Sequence, residues 1–270
     1  MSVANPTFTS NILDRPQVMG IINATPDSFY DGGQAHVDLV NQINEFNQLG
    51  VNYIDIGAES SRPGADPVSA AEEIDRLAPF LGYIKEHTNA ILSVDTYKPE
   101  TAAFALANGA KIINDISGGE STELLALVAK HDAGIILMHK QGTPKTMQNN
   151  PTYNDAVGDV KSYLNTQVLA AQSAGITNII VDPGIGFGKT LEHNLLLLKH
   201  IDSFLDLNCP ILIGTSNKSF IGQLTGAELH ERIPGSLASV LATYQKGAHI
   251  FRVHNVKETL QALQVFEALL

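Results

Sequence analysis

Short apolar runs alternate along the chain with longer amphipathic stretches, and each run ends on polar residues. Met19-Gly20-Ile21-Ile22 stops at Asn23, Tyr53-Ile54-Asp55-Ile56 before Gly57 and Glu59, and Ile91-Leu92-Ser93-Val94 at Asp95. Ile112-Ile113 stops at Asn114-Asp115, Ile135-Ile136-Leu137-Met138 at His139, and Ile179-Ile180-Val181 at Asp182. Ile211-Leu212-Ile213 runs into Gly214-Thr215-Ser216 and Lys218, and Ile250-Phe251-Arg252-Val253 reaches His254. Runs this short and this continuously apolar predict parallel strands covered on both faces. The stretches between them have helical spacing. Val37, Val40, Ile43, Phe46 and Leu49 recur every three residues, and Val256, Leu260, Leu263, Phe266 and Leu270 every three or four. Residues 70–86, 99–108, 122–131, 155–174, 191–205 and 236–246 also read as helices. Pro67, Pro99 and Pro151 stand near helix starts and Gly50, Gly109, Gly134, Gly175 and Gly247 near helix ends, the usual asymmetry of these two residues.

Strand followed by helix, repeated without a linker or a break in composition, implies a parallel sheet in one domain spanning residues 1–270. The expected fold is a closed (β/α)8 TIM barrel, with an open doubly wound sheet as the alternative. A barrel of this kind builds its active site at the carboxyl ends of its strands, so the polar run ends are candidate site residues. The longest connections, residues 23–34, 57–68 and 140–153, leave those same ends, where substrate clamps belong.

Composition narrows the function. Net charge is −11 with histidine neutral. That balance argues against nucleic acid, whose binding depends on basic side chains at phosphates, but leaves room for a small anion held by a local cationic cluster. No apolar run is long enough to span a membrane. Residues 1–14 lack a basic segment followed by an apolar one, so no signal peptide is expected. The single cysteine, Cys209, precludes an intrachain disulfide and fits a cytoplasmic protein. It precedes Pro210 at the start of an apolar run and reads as a buried, inert thiol.

Asp182-Pro-Gly-Ile-Gly-Phe-Gly-Lys189 looks like a phosphate loop but fails both phosphate-loop patterns. Pro183 occupies the place of the first Walker A glycine, and the glycines alternate rather than following G-x-G-x-x-G. The segment reads instead as a backbone-lined pocket floor with Phe187 as an apolar wall. Asp95, Asn114 and Asp182 could each cap a following helix. Converging, they suit the amino group and ring N–H of a guanine-like or pterin-like edge. Arg62, Lys218, Arg252 and His254 form the cationic counterpart. Arg252 and His254 alternate along the last run and so share a face. Inward cations of this kind imply an anion, and phosphate or pyrophosphate fits best. Asp27 and Asp31 read as turn formers, whereas Asn23 could supply an oxygen to a Mg²⁺ that keeps most of its waters. No histidine–cysteine spacing suggests zinc, and no G-x-S-x-G elbow suggests a hydrolase.

Together these segments resemble the dihydropteroate synthase family. The resemblance rests on residues 19–29 with Asp31-Gly-Gly33, Asp55-Ile-Gly57 with Glu59-Ser-Ser-Arg-Pro-Gly-Ala65, and Ser93-Val-Asp-Thr96. It continues through Ile113-Asn-Asp-Ile116, Leu137-Met-His139, Asp182-Pro-Gly with Gly186-Phe-Gly-Lys189, Ser216 with Lys218-Ser219, and Arg252-Val-His254. It implies a transferase that joins 7,8-dihydropterin-6-ylmethyl diphosphate to p-aminobenzoate in folate biosynthesis, with small-molecule substrates, Mg²⁺, a homodimer and sensitivity to sulfonamide mimics. It further implies that Asp95, Asn114, Asp182 and Lys218 hold the pterin, with Ile116, Met138 and Phe187 as walls and Arg252 stacked on the ring. Asn23 would serve the metal, and Arg62, Arg252 and His254 the leaving group. Ser61, Pro63, Gly186, Phe187, Lys218 and Ser219 would take aminobenzoate, the helix start at Ser219 favouring its carboxylate.

Three positions depart from the family pattern, which has Thr at 61, Arg at 217 and Asp at 255. Ser61 keeps the hydroxyl. Asn255 bears on the orientation of His254. Asn217 removes a cation expected beside the aminobenzoate subsite, so an Arg restored there should tighten aminobenzoate more than pterin. Two other functions fit parts of the pattern: a catalytically idle pterin-binding paralogue, and a pterin-dependent methyltransferase, which would have no use for the cations around a diphosphate.

Overall fold

The computed structural model describes residues 15–24, 34–60, 66–143 and 145–270. Its eight strands are β1 Gln17–Asn23, β2 Tyr53–Gly57, β3 Ile91–Asp95, β4 Ile112–Asp115, β5 Gly134–Met138, β6 Ile179–Asp182, β7 Leu212–Ile213 and β8 Ile250–Val253. All neighbours pair in parallel, in the order β6-β5-β4-β3-β2-β1-β8-β7. The ring closes between β6 and β7 through one bridge, Val181 to Ile211, with the Val181 N–H donating to the Pro210 carbonyl at 3.0 Å. This is the (β/α)8 barrel expected from the alternation, and the open sheet is ruled out by the closing bridge.

The helices are α1 Gln34–Leu49, α2 Ala70–His87, α3 Pro99–Ala107, α4 Thr122–Lys130, α5 Ala156–Ser173, α6 Leu191–Lys199, α7 Ser219–Thr225, α8 Ile233–Tyr244 and α9 Val256–Glu267. Local chemistry marks their starts. The side chains of Ser69, Ser121 and Asp155 accept first-turn N–H groups of α2, α4 and α5. α2 also places Glu72 and Glu73 in its first turn and Lys85 and His87 in its last, which complements the helix dipole.

Two expectations need correction. The single helix over 191–205 is divided: α6 ends at Lys199 and a 3-10 turn, Ile201–Leu207, follows. The buried residues of that turn, Ile201, Phe204 and Leu207, recur at a spacing of three, which suits a 3-10 turn better than an α-helix. After β7 the chain forms two helices, one from Ser219 as expected and a second that starts earlier than the pattern over 236–246 implies. α7 is short, and α8 begins at Ile233, ahead of the expected 236, with a proline in its first turn.

The core has two parts. Strand side chains that point outward pack against the helices. Inward-pointing Met19, Tyr53, Ile112, Ile136, Ile180, Leu212 and Ile250, with Ile91 beside them, plug the barrel. Cys209 is buried with a free thiol, pushed up to about 11 by burial. Among the described residues no helix is long and apolar enough to cross a membrane.

Candidate active site

The pleat decides which residues reach the mouth of the barrel. Side chains on a strand return to the same face every second residue. Two residues beyond the plug, the inward positions are Ile21, Asp55, Ser93, Asn114, Met138, Asp182, Gly214 and Arg252. Two further on come Asp95, Ile116, Ser216 and His254. An apolar floor therefore gives way to a polar layer and then to an open cleft of about 480 Å³, counting the part continuous with solvent. Lining the cleft are Ile21, Asp95, Asn114, Ile116, Met138, Asp182, Ile185, Phe187, Gly214, Ser216, Lys218, Arg252 and His254.

Asp55 organises the polar layer. It has no exposed surface. Its carboxylate accepts from Ser93 Oγ at 2.6 Å, Asn114 Nδ2 at 3.0 Å and Arg252 Nε at 2.6 Å. Arg252 Nη2 also donates to Asp95 Oδ2 at 2.9 Å, so one planar guanidinium spans carboxylates on β2 and β3. Burial works against the charge on Arg252, but Asp55 and Asp95 overcome it and hold its pKa above the ordinary value. Asp95 moves above the usual carboxylate range because burial outweighs the pull of Arg252, and Asp55 adds repulsion. With Nδ2 committed to Asp55, Asn114 has Oδ1 to offer a ligand.

Asp182, across the cleft, accepts the Gly184 N–H at 2.7 Å. Burial raises its pKa against the opposing effects of that bond and of Lys218, Lys189 and Arg252. The Lys218 ammonium lies 3.9 Å from the centre of the Phe187 ring, within cation–π range. Burial lowers Lys218 to about 8, with Asp182 opposing the shift. His254 is held against Ser216: its backbone N–H donates to Ser216 Oγ at 3.2 Å, and its Nδ1 lies 3.1 Å from the same oxygen.

The turn between β6 and α6 forms the wall with Ile185 and Phe187. Gly184 sits at φ +68°, and a Cβ there would lie 1.8 Å from the His139 carbonyl oxygen, so only glycine allows the approach. Lys189 ties the turn down. It is 3% exposed, and its ammonium reaches His139 Nδ1 at 2.9 Å and the carbonyls of His139, Gly184 and Phe187 at 3.2, 2.9 and 3.0 Å. Burial brings Lys189 down to about 7. Burial, helped by the Lys189 charge, brings His139 down to about 3, so its ring stays neutral.

A profile of the pterin binding enzyme family matches residues 19–254. The dihydropteroate synthase of Escherichia coli strain K12 is 44% identical over 266 residues, which cover 97% of this chain and 94% of that protein. The chain belongs to the dihydropteroate synthase family. The Xanthomonas albilineans dihydropteroate synthase solved with 4-aminobenzoic acid matches with a TM-score of 0.89 and 41% identity, over 95% of this chain and 94% of that one. A structure of dihydropteroate synthase from the same organism in complex with 7,8-dihydropteroate gives 0.86 and 38%, over 95% and 94%.

Most residues singled out by the family resemblance meet in the cleft: Asp95, Asn114, Ile116, Met138, Asp182, Phe187, Lys218, Arg252 and His254. Asn23 ends β1 at the same end of the barrel, exposed and outside the lining. Gly186 and Ser219 also fall outside the lining. The Gly186 N–H is taken by Asn194 Oδ1 at 2.7 Å and its carbonyl by Gln148 Nε2 at 2.7 Å, and Ser219 is exposed at the start of α7. Ser61, Arg62 and Pro63 of the dihydropteroate synthase pattern, with Asp27 and Asp31, lie outside the described residues. Asn217 does not line the cleft; its amide faces Ser236 and Asn255. Asp55 and Lys189 carry much of the geometry, although both were visible in the sequence only as parts of motifs. The signal for Asp55 is its parity: it lies two residues past the plug residue Tyr53, on the inward face.

Proposed function

We propose that this cleft joins 7,8-dihydropterin-6-ylmethyl diphosphate to p-aminobenzoate, releasing pyrophosphate and giving 7,8-dihydropteroate in folate biosynthesis. One observation carries the reading. Acceptors suited to a pterin edge, Asp95, Asn114 and Asp182, share one cleft with Arg252, His254 and Lys218. The chain also belongs to a family in which the Xanthomonas albilineans relative was solved both with 4-aminobenzoic acid and with 7,8-dihydropteroate.

Asp182, Asn114 and Asp95 receive the amino and ring N–H donors of the pterin, and Met138, Ile116 and Phe187 cover its faces. Arg252, fixed by Asp55 and Asp95, lies beside the ring and with His254 faces the diphosphate, a group to which the family pattern adds Arg62. The C–O bond to the diphosphate breaks with its electron pair on the departing pyrophosphate, and the pterin ring shares the positive charge left on the methylene carbon. The arylamine lone pair then forms the C–N bond, and the resulting arylammonium is acidic enough to lose its proton without a strong base. Phe187 and Lys218 serve the aminobenzoate subsite, to which the family pattern adds Ser61, Pro63, Gly186 and Ser219. Its carboxylate is served by Lys218 more than by the short helix α7.

A Mg²⁺ on the diphosphate suits the donors present. Among the described residues no group of three His, Cys, Asp or Glu side chains is placed to cage a metal. Asn23 offers one neutral oxygen, and Mg²⁺ commonly takes few protein ligands together with substrate phosphates and water. Bound there, the ion would neutralise charge on the leaving group.

A steady-state assay tests the reading. Pyrophosphate and dihydropteroate should appear in equal amounts with both substrates present, and chelation should reduce the rate. No product at saturating substrates, with pterin still bound, would establish the idle paralogue instead. Corrinoid-dependent methyl transfer would establish the methyltransferase. Full activity in the presence of chelator would remove Asn23 from metal duty.

A further inference from the structure

Asn217 stands between two residues of the cleft, Ser216 and Lys218, and does not itself face the cleft. Its backbone is left-handed, φ +58°, a region Asn enters more easily than most residues. Its N–H donates to Ser236 Oγ at 3.0 Å, and its carbonyl accepts from Arg232 Nη1 at 3.1 Å. Its side-chain amide reaches Asn255 Oδ1 at 3.5 Å and Ser236 Oγ at 3.5 Å.

The pairing follows from strand register. β7 and β8 align Leu212 with Ile250 and Ile213 with Phe251. Carried past the strand ends, that register sets Ser216 opposite His254 and Asn217 opposite Asn255. Both pairs are in contact, so side chains continue a ladder that the two-residue strand β7 abandons early. The residues so joined flank two lining residues on this side of the cleft: Asn217 precedes Lys218, and Asn255 follows His254. Two of the three departures from the family pattern thus face each other. Where the pattern has an opposite-charge pair, Arg and Asp, this chain has two neutral amides.

We propose that Asn217 and Asn255 are a coupled pair of positioning residues, a neutral clip that sets Lys218 against His254, and that the two departures compensate one another. A restored Arg at 217 alone then has no carboxylate to meet. It lies beside Lys218 and Arg232 and displaces the clip, so it does not tighten aminobenzoate. The aminobenzoate consequences rest on the function proposed above, whereas the pairing itself does not.

The test is a double-mutant cycle on the full chain with N217R, N255D and the double variant. Strain from placing Arg in a left-handed backbone is common to N217R and the double variant, and cancels between them. N255D alone should stay within about threefold of the unsubstituted protein, because Asp has nearly the shape of Asn and keeps an oxygen that accepts from the Asn217 amide. N217R should lose at least about tenfold in kcat/KM, with KM for aminobenzoate rising and pterin affinity by calorimetry little changed. Adding N255D to N217R should recover that tenfold, about 1.4 kcal/mol of coupling. As a variant that keeps the backbone unstrained, N217G should lower kcat/KM severalfold with little change in thermal midpoint. Additive effects of the two substitutions, or tighter aminobenzoate in N217R alone, would overturn the proposal. If the unsubstituted protein makes no product, the function proposed above has failed, and the same cycle read in thermal midpoints still decides the pairing: non-additivity supports it and additivity overturns it.

Discussion

Lys218 shows how far a single side chain can be governed by its surroundings. Stacked on Phe187 and facing Asp182, its ammonium is kept near pKa 8 by burial. A lysine that loses its proton as pH rises through about 8 loses the charge that attracts an aminobenzoate carboxylate. The kcat/KM for aminobenzoate should therefore fall above that pH. Lys218→Arg, whose guanidinium stays charged, should move the fall upward even if it lowers the plateau. A pH profile of the two proteins checks this, and an unshifted basic limb would separate Lys218 from the titration. Lys218, Asp182 and Arg252 were legible in the sequence because each ends a run or breaks its apolar character. Asp55 was less so, because it sits inside a run where parity alone marks it as inward. Its partner Arg252 is 197 residues away, a pairing no local pattern reveals.

At the scale of elements, the turn from β6 to α6 depends on one lysine. Lys189 donates to carbonyls on both sides of the apolar wall and to His139 at the end of β5. Lys189→Met keeps the volume and removes every donor, leaving buried carbonyls unpaired. The expected cost is about 1–3 kcal/mol in stability, with a severalfold rise in KM for aminobenzoate as Phe187 loses its support. Thermal unfolding and steady-state kinetics measure the two effects, and unchanged values in both would refute the role. The glycines of this turn were visible in the sequence, but their purpose was not. Gly184 makes room for the His139 carbonyl, a contact between strands that spacing along the chain does not encode. The division of 191–205 was obscured for a related reason: a spacing of three can be read as part of an α-helical pattern until burial shows that it belongs to a 3-10 turn.

For the whole molecule, the barrel was the most legible feature, since eight apolar runs separated by helical spacing leave few alternatives. The uneven strength of its closure was not legible. β1 and β2 share five registered pairs, whereas β6 meets β7 at a single bridge. A pterin bound between Asp182 on β6 and Lys218 beyond β7 would span that seam. At one hundred times its dissociation constant such a ligand should add about 2.7 kcal/mol and raise the thermal midpoint by about 5–10 °C. A midpoint unmoved at saturation would show that the ligand binds elsewhere or not at all. The contact between Asp55 and Arg252 also has a consequence for synthesis. A nascent chain acquires Asp55 and Asp95 long before Arg252, the residue that neutralises them. Until β8 emerges from the ribosome, the cleft is a ring of acceptors without its central cation. Binding competence should therefore appear abruptly once β8 has emerged rather than grow with the length of the chain.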